Sequence, residues 1–326
     1  MMQPGLLSRR LMLAGATTAA VAASAIQPAG AKMPMGLKQA PYFYRFKIGN
    51  MEATVISDGV IPLGPPGDAF LGLTKEEITR QLTDNFLPPD TVTLEQNILV
   101  LNTGSKVVLF DTGMGTVKAF GPTTGQLMRT LAQAGIPGTA VDAVVMTHAH
   151  IDHCGGIMSA QNARNFPNAK LYISQADYDY WTDPAKVSAP ALKSFLDQAR
   201  RNLVPNRDRI QFVKDGEEFI PGIHAIATPG HTVGHTMFMI DSAGKKMCFI
   251  GDLTHHQVLL LQKPLTEFSY DTDPKQSAQT RVKMLTMLAA NRIPLLAYHF
   301  PWPGIGHVAK LGDGFHYVAA PMNMQL

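Results

Sequence analysis

Three histidines and an aspartate fall within six residues of this chain, in the stretch Thr147-His148-Ala149-His150-Ile151-Asp152-His153-Cys154-Gly155-Gly156. The stretch follows directly on Ala143–Met146, an apolar run that reads as a short buried strand. Imidazole suits zinc, iron, cobalt and nickel, and a carboxylate adds charge for a second divalent ion. The cluster is too crowded for one metal. In a strand-to-loop turn, His148 and His150 point one way while Asp152 and His153 point another. Gly155 and Gly156 let backbone pack close to the site.

Three further segments repeat the arrangement. Thr228-Pro229-Gly230-His231-Thr232-Val233-Gly234-His235 puts His231 just after a strand. Phe249-Ile250-Gly251-Asp252 and Ala297-Tyr298-His299 put Asp252 and His299 at the ends of two more apolar strands. A fold for this chain therefore has to bring several strand ends together, where rigid backbone aims each ligand at one common point.

The rest of the chain supplies the elements. Tyr42–Ile48 and Met51–Ser57 form a hairpin about Gly49-Asn50. Residues 59–95, richer in proline, glycine and charge, read as a covering loop with a short helix around Lys75–Leu82. Asn97–Asn102 and Lys106–Phe110 are a second hairpin that ends in Asp111-Thr112-Gly113. Lys170–Ser174, Ile223–Ala227, Thr236–Ile240, Lys246–Ile250 and Leu295–Ala297 read as strands, and His307–Ala319 as a closing hairpin. Helices are expected near Thr124–Ala134, over Ala185–Arg201, and from Pro274 to Ala290 with Asp273 as N-cap. Strands and helices thus alternate in two similar halves with no linker. Two sheets face to face with helices outside, an α/β architecture, suit this pattern.

The N-terminus reads as an export signal, residues 1–31, followed by a single catalytic domain over residues 32–326. Arg9 and Arg10 precede an alanine-rich apolar run, and Ala29-Gly30-Ala31 offers a cleavage site. The paired arginines resemble a twin-arginine signal; an ordinary secretory signal is the alternative. Either places the mature protein in the periplasm or outside the cell. The formal net charge of +3 falls to +1 without the signal, which leaves 26 basic against 25 acidic residues. So neutral a chain argues against nucleic acid as a partner. Beyond the N-terminus no run is apolar for long enough to span a membrane. Cys154 and Cys248 lack metal-site spacing and read as buried free thiols, although an exported protein could pair them.

The series His148, His150, Asp152, His153, His231, Asp252 and His299 resembles the full ligand set of two-metal members of the metallo-β-lactamase superfamily. The resemblance implies that His148, His150 and His231 hold one metal, that Asp152, His153 and His299 hold the other, and that Asp252 bridges them. Zinc is the expected ion; the same ligands accept manganese, cobalt or iron. Asp111 and His235 match structural positions. Asn102-Thr103-Gly104-Ser105-Lys106, Phe120-Gly121-Pro122-Thr123, Ser57-Asp58-Gly59 and the run Phe300–His307 look like methyl parathion hydrolase and its lactonase relatives. That likeness covers nearly all of the mature chain and implies a four-layer αββα fold and a homodimer.

Two such metals can share a water and lower its pKa toward neutrality, giving a bridging hydroxide that attacks a carbonyl carbon or a phosphorus. Asp152, Asp252 and His255 are the expected catalytic residues. A bridging Asp252 resembles lactonases and phosphoesterases and weighs against β-lactam hydrolysis. His255, three residues on, can stabilise an oxyanion or protonate a leaving alkoxide; the plain alternative is a solvent-facing polar residue like its neighbour His256. Phe120, Trp181 and Phe195, with Phe268 and Tyr270, match aromatic positions of a leaving-group pocket suited to a flat, uncharged aryl group. His224, His307 and His316 read as ordinary. The expected activity is hydrolysis of small neutral lactones and aryl esters, with side activity on phosphotriesters. A dedicated organophosphate hydrolase is the alternative. A non-catalytic metal-binding protein, which would be expected to have lost ligands, and a one-iron redox relative are more distant readings.

Overall fold

The aromatic and β-branched run after Tyr42 forms the hairpin that its Gly49-Asn50 turn calls for: β1 (Phe43–Ile48) and β2 (Met51–Gly64) pair antiparallel, closing at Ile48 opposite Met51. The computed structural model describes residues 42–187 and 192–323. The expected export signal lies outside the described residues.

The covering loop expected from residue 59 is corrected here. The β2 ladder shifts register between Ser57 and Val60, then resumes, so Val60, Ile61 and Pro62 pair with Glu95, Leu94 and Thr93. Asp58 and Gly59 form the bulge, with Gly59 at φ +104°. Gly59, Pro62 and Gly64 read as loop punctuation, yet a long ladder tolerates them at a bulge and a strand end. After β3 (Phe70–Leu71), α1 (Lys75–Asp84) starts on a reciprocal cap. Glu77 N donates to Thr74 Oγ1 (3.2 Å), and Thr74 N donates to Glu77 Oε2 (2.9 Å).

β4 (Val92–Asn102) and β5 (Val107–Phe110) continue the sheet antiparallel, and β6 (Ala143–Val145), β7 (Lys170–Ser174) and β8 (Ile210–Val213) add in parallel. The first sheet has seven strands in the order β1-β2-β4-β5-β6-β7-β8. α2 (Leu127–Gln133) and α3 (Ile151–Cys154) lie between these strands. The helix expected over Ala185–Arg201 begins later, as α5 (Lys193–Leu203), and a separate helix that the sequence does not announce, α4 (Gln175–Thr182), precedes it. α4 shows no apolar period, and is set by the Ser174 side chain accepting from Asp177 N (3.2 Å). Asp183-Pro184 separates the two helices.

The second sheet comprises β9 (Glu218–Ile220), β10 (Ile223–Ala227), β11 (Thr236–Ser242), β12 (Lys245–Phe249), β14 (Leu295–Leu296), β15 (Ile305–Leu311) and β16 (Gly314–Ala319), ordered β16-β15-β14-β12-β11-β10-β9. β13 (Glu267–Phe268), after α6 (Leu259–Gln262), pairs with β3 apart from both sheets. α7 (Pro274–Ala290) is the crossover that lets β14 run parallel to β12. Its Pro274 and the Asp273 side chain, accepting from Gln276 N (3.0 Å), set its start as the sequence requires.

The two sheets meet through interlocking rings. Phe110 of β5 packs 5.7 Å from Phe238 of β11 and 5.4 Å from Phe249 of β12. Leu127 and Leu131 of α2 and Leu196, Ala199 and Leu203 of α5 join the first sheet's core, while Met284, Leu285 and Leu288 of α7 pack with Cys248 and Leu295 of the second. The result is the expected four-layer order of helix, sheet, sheet, helix. Cys154 and Cys248 are buried free thiols. Among the described residues, no helix is long and apolar enough to cross a membrane.

Asp58 pins the bulge to the rest of the fold. Its buried carboxylate accepts from Met114 N (2.9 Å), Gly125 N (3.0 Å) and Leu127 N (2.7 Å). Burial pushes its pKa up to about 6 against these donors. Asp58→Ala is expected to lower the unfolding free energy by about 3 kcal/mol or more, because it orphans three buried N–H groups. A carboxyl whose folded pKa is raised adds most stability below its unfolded value and loses it as pH rises through about 6. The gap between wild type and variant in urea unfolding should therefore be wider near about pH 5 than near about pH 7.5.

Candidate metal centre

The seven expected ligands converge at the C-terminal ends of four strands. His148 and His150 follow β6, with Asp152 and His153 on the single turn of α3. His231 follows β10, Asp252 follows β12 and His299 follows β14. All seven are nearly inaccessible, none above 8% exposed, so each polar group depends on its neighbours.

Their donor atoms face one another. His231 Nε2 lies 3.1 Å from His148 Nε2 and 3.0 Å from His150 Nδ1. Asp252 Oδ2 lies 3.2 Å from His153 Nε2, 3.2 Å from His231 Nε2 and 3.3 Å from His299 Nε2. Asp152 Oδ2 lies 3.5 Å from both His153 Nε2 and His299 Nε2. Two three-residue groups, His148/His150/His231 and Asp152/His153/His299, each bring their donors within 4.8 Å of one another. His153 Nε2 and Asp252 Oδ1 are buried without a hydrogen-bond partner. Converging lone pairs and unpartnered buried donors are what divalent cations would satisfy, so the donor set fits such ions.

The outer nitrogens set which inner nitrogen is presented. His153 Nδ1 donates to Asp111 Oδ2 (2.8 Å), His231 Nδ1 to Asp271 Oδ1 (2.7 Å), and His299 Nδ1 to the Glu95 carbonyl (2.8 Å). Asp111, at φ +62°, also accepts from Thr147 N and Thr147 Oγ1, both at 2.8 Å. The backbone around the ligands is fixed as tightly. Asp177 accepts from Ala149 N (2.6 Å) and Gly234 N (3.1 Å), and Tyr298 Oη donates to the Asp152 carbonyl (2.6 Å). His235 has both ring nitrogens engaged: its Nε2 accepts from Asp252 N (3.0 Å) and its Nδ1 pairs with Thr228 Oγ1 (2.7 Å). Gly251, at φ +48°, sits where a Cβ would come 2.8 Å from His235 Nε2.

Charge is divided across the site. Burial holds His148 and His150 well below the usual imidazole range. On His153 burial opposes charge, but the carboxylates of Asp252, Asp152 and Asp111 carry it well above that range. Burial also opposes charge on Asp252, and the facing histidines His153 and His299 overcome it, holding the carboxyl well below its ordinary value.

His255 and His256 both turn inward, which corrects the solvent-facing alternative for either. His255 Nε2 lies 3.1 Å from Asp252 Oδ2, and the ring stacks on Phe268 (4.0 Å) and more distantly on His299 (5.2 Å). Burial, against the pull of Asp252, lowers its pKa to about 4. His256 Nδ1 accepts from Val258 N and Leu259 N at 3.1 Å each.

A small cavity of about 30 Å³ opens over His150, Asp152, His231, Asp252, His255 and His299. Phe120, Phe195, Phe268 and Tyr270 line it, as the sequence suggests. Trp181 does not. It is wholly buried behind the site, edge-on to His150 at 4.8 Å, and supports that ligand. Ile61, Leu63 and Leu94 add aliphatic wall, and among the described residues no lysine or arginine lines it. All three fall within residues 59–95, which read as a loop in the sequence, so no local pattern marks them as pocket residues. Asp271, Asp177 and Tyr298 were missed too. Nothing local marks Asp271 and Asp177, while Tyr298 adjoins a ligand and had that one signal.

The family description "Metallo-beta-lactamase superfamily" matches residues 92–295, well over half of the chain. Among solved structures, AidC, described as a dizinc quorum-quenching lactonase, is 29% identical with a TM-score of 0.79, over 86% of this chain and 97% of its own. The hydrolase AbOPH is 28% identical with a TM-score of 0.82, over 88% of this chain and 100% of its own. A probable metallo-hydrolase of Mycobacterium bovis is 24% identical over 49% of this chain and 57% of its own length, so the chain spans about half of that curated relative. With matching ligands, topology and family description, the chain belongs to the metallo-beta-lactamase superfamily.

Proposed function

We propose that this protein is a metal-dependent hydrolase of small neutral esters, lactones and aryl carboxylic esters first among them, working with two divalent cations. The observation that carries this reading is the position of Asp252 Oδ2, within 3.3 Å of imidazole nitrogens from both three-residue groups and at the floor of an apolar cavity. In this reading His148, His150 and His231 would hold one ion, Asp152, His153 and His299 the other, and Asp252, in reach of both groups, would serve either. When bound, such ions would supply an activated water and polarisation of the acyl oxygen.

The chain's own residues do the rest. Asp111, Asp271 and the Glu95 carbonyl keep three imidazoles turned so that Nε2 faces inward. The aliphatic and aromatic walls exclude water from the reacting bond and favour an uncharged substrate. His255 lies against the floor beside Asp252, and in this reading it gives a hydrogen bond to the leaving oxygen. The lactonase neighbour AidC, 29% identical, supports the ester reading. The motif likeness to methyl parathion hydrolase belongs to this proposal as a side activity on phosphotriesters.

The test is kcat/KM on dihydrocoumarin and on methyl parathion, each with and without chelator. The lactone should win by about 100-fold or more, equivalent to about 2.7 kcal/mol of transition-state stabilisation, and chelation should abolish turnover of both. Preference for methyl parathion would replace the ester reading with a dedicated phosphotriesterase, and turnover that survives chelation would remove the metals from it.

His255→Leu separates the two substrates. Lactone turnover is expected to fall by about 100-fold or more, the usual loss when one hydrogen-bond donor to a developing oxyanion is removed, while phosphotriester turnover rises. Equal losses on both would withdraw the role given to His255.

A further inference from the structure

Arg281 is a guanidinium with no exposed surface, on the inner face of α7, and the chemistry above does not use it. Its donors go to three backbone carbonyls: Nε to Leu253 (3.1 Å), and Nη1 to Pro264 (2.9 Å) and Thr266 (2.7 Å). Leu253 adjoins Asp252. Thr266 leads into β13, whose Phe268 stacks on His255. One side chain thus fastens both ends of the segment that carries His255 and the cavity wall.

The remaining nitrogen, Nη2, donates to Ser277 Oγ (3.5 Å) and faces Asp271 Oδ2 at 3.6 Å, the latter an ion pair rather than a hydrogen bond. The other oxygen of Asp271 accepts from His231 Nδ1. The backbone reinforces this tie, with Thr272 N donating to the His231 carbonyl (2.8 Å) and Asp273 N to the Gly230 carbonyl (2.9 Å). A buried ion pair is a poor source of stability, because desolvation cancels most of the attraction. What a forked guanidinium does well is fix several acceptors in one geometry.

We propose that Arg281 and Asp271 form a positioning pair, in which Arg281 holds the cavity-wall segment and Asp271 in register and Asp271 aims His231 at its cation. The metal chemistry and the pocket wall are thereby coupled through α7. This rests on the metal assignment proposed above.

The test is Zn2+ titration of the full chain against a chromophoric chelator, for wild type, Asp271→Asn, Arg281→Lys and the double variant. Wild type should bind two ions. Asp271→Asn should weaken one of them by about 10-fold or more, the usual loss when a ligand's outer partner is removed. Arg281→Lys keeps the charge but loses the fork, and should weaken the same ion. The double variant should lose less than the product of the two single effects. Should the lysine variant not fold, Arg281→Met, which keeps the packing of the stem, takes its place. A variant at Arg281 that lowers Tm yet leaves both Zn2+ affinities intact, or effects that multiply independently, would overturn the pair. A wild type that binds no Zn2+ would overturn instead the function on which it rests.

Discussion

Five imidazoles and two carboxylates share a few ångströms of protein interior, and the rest of the structure follows from that crowding. Ionisable groups removed from water must find partners or shift their charge. Here they do both: burial keeps His148 and His150 neutral, while Asp252 stays ionised against the opposing push of burial because histidines face it. Flexible side chains would relieve such a cluster by turning away. These cannot, because their outer atoms are held. Asp111, Asp271 and the Glu95 carbonyl each take one imidazole N–H, and each comes from a different part of the chain.

The two-sheet scaffold makes that possible. The candidate ligands leave β6, β10, β12 and β14 at their C-terminal ends, three to eight residues beyond a hydrogen-bonded ladder, which limits their positional error. The Phe110, Phe238 and Phe249 contacts lock the sheets against each other and fix the spacing between ligands that come from opposite sides. Asp58, with its three backbone donors, anchors the β2 bulge beyond which Ile61 and Leu63 reach the cavity. The apolar wall and the polar floor are therefore set by the same strands.

The aromatic residues divide by depth. Phe268 and Phe195 stand against His255 and His150, Tyr270 and Phe120 meet 6.4 Å apart nearer solvent, and Trp181 lies behind the ligands. A ring's residue type predicts that it packs, not on which side of a histidine it packs. That is why Trp181 looks like a pocket residue in the sequence and is a support in the fold.

The sequence by itself determined which residues are candidate ligands, because the chemistry of histidine and aspartate at strand ends is local: His148 to His153 lie within six residues, and His231, Asp252 and His299 each follow a readable apolar strand. It also determined α7 from Asp273-Pro274, and a short helix around Lys75–Leu82 where α1 stands. Tertiary structure alone decided what holds the ligands. Asp271 reaches His231 across 40 residues, and the Glu95 carbonyl reaches His299 across 204. It decided that β2 continues through Gly59 and Pro62, since a bulge is stabilised by its partner strand rather than by its own residues. It also decided that His256 and Trp181 point away from solvent and cavity, because orientation depends on neighbours that no local pattern records.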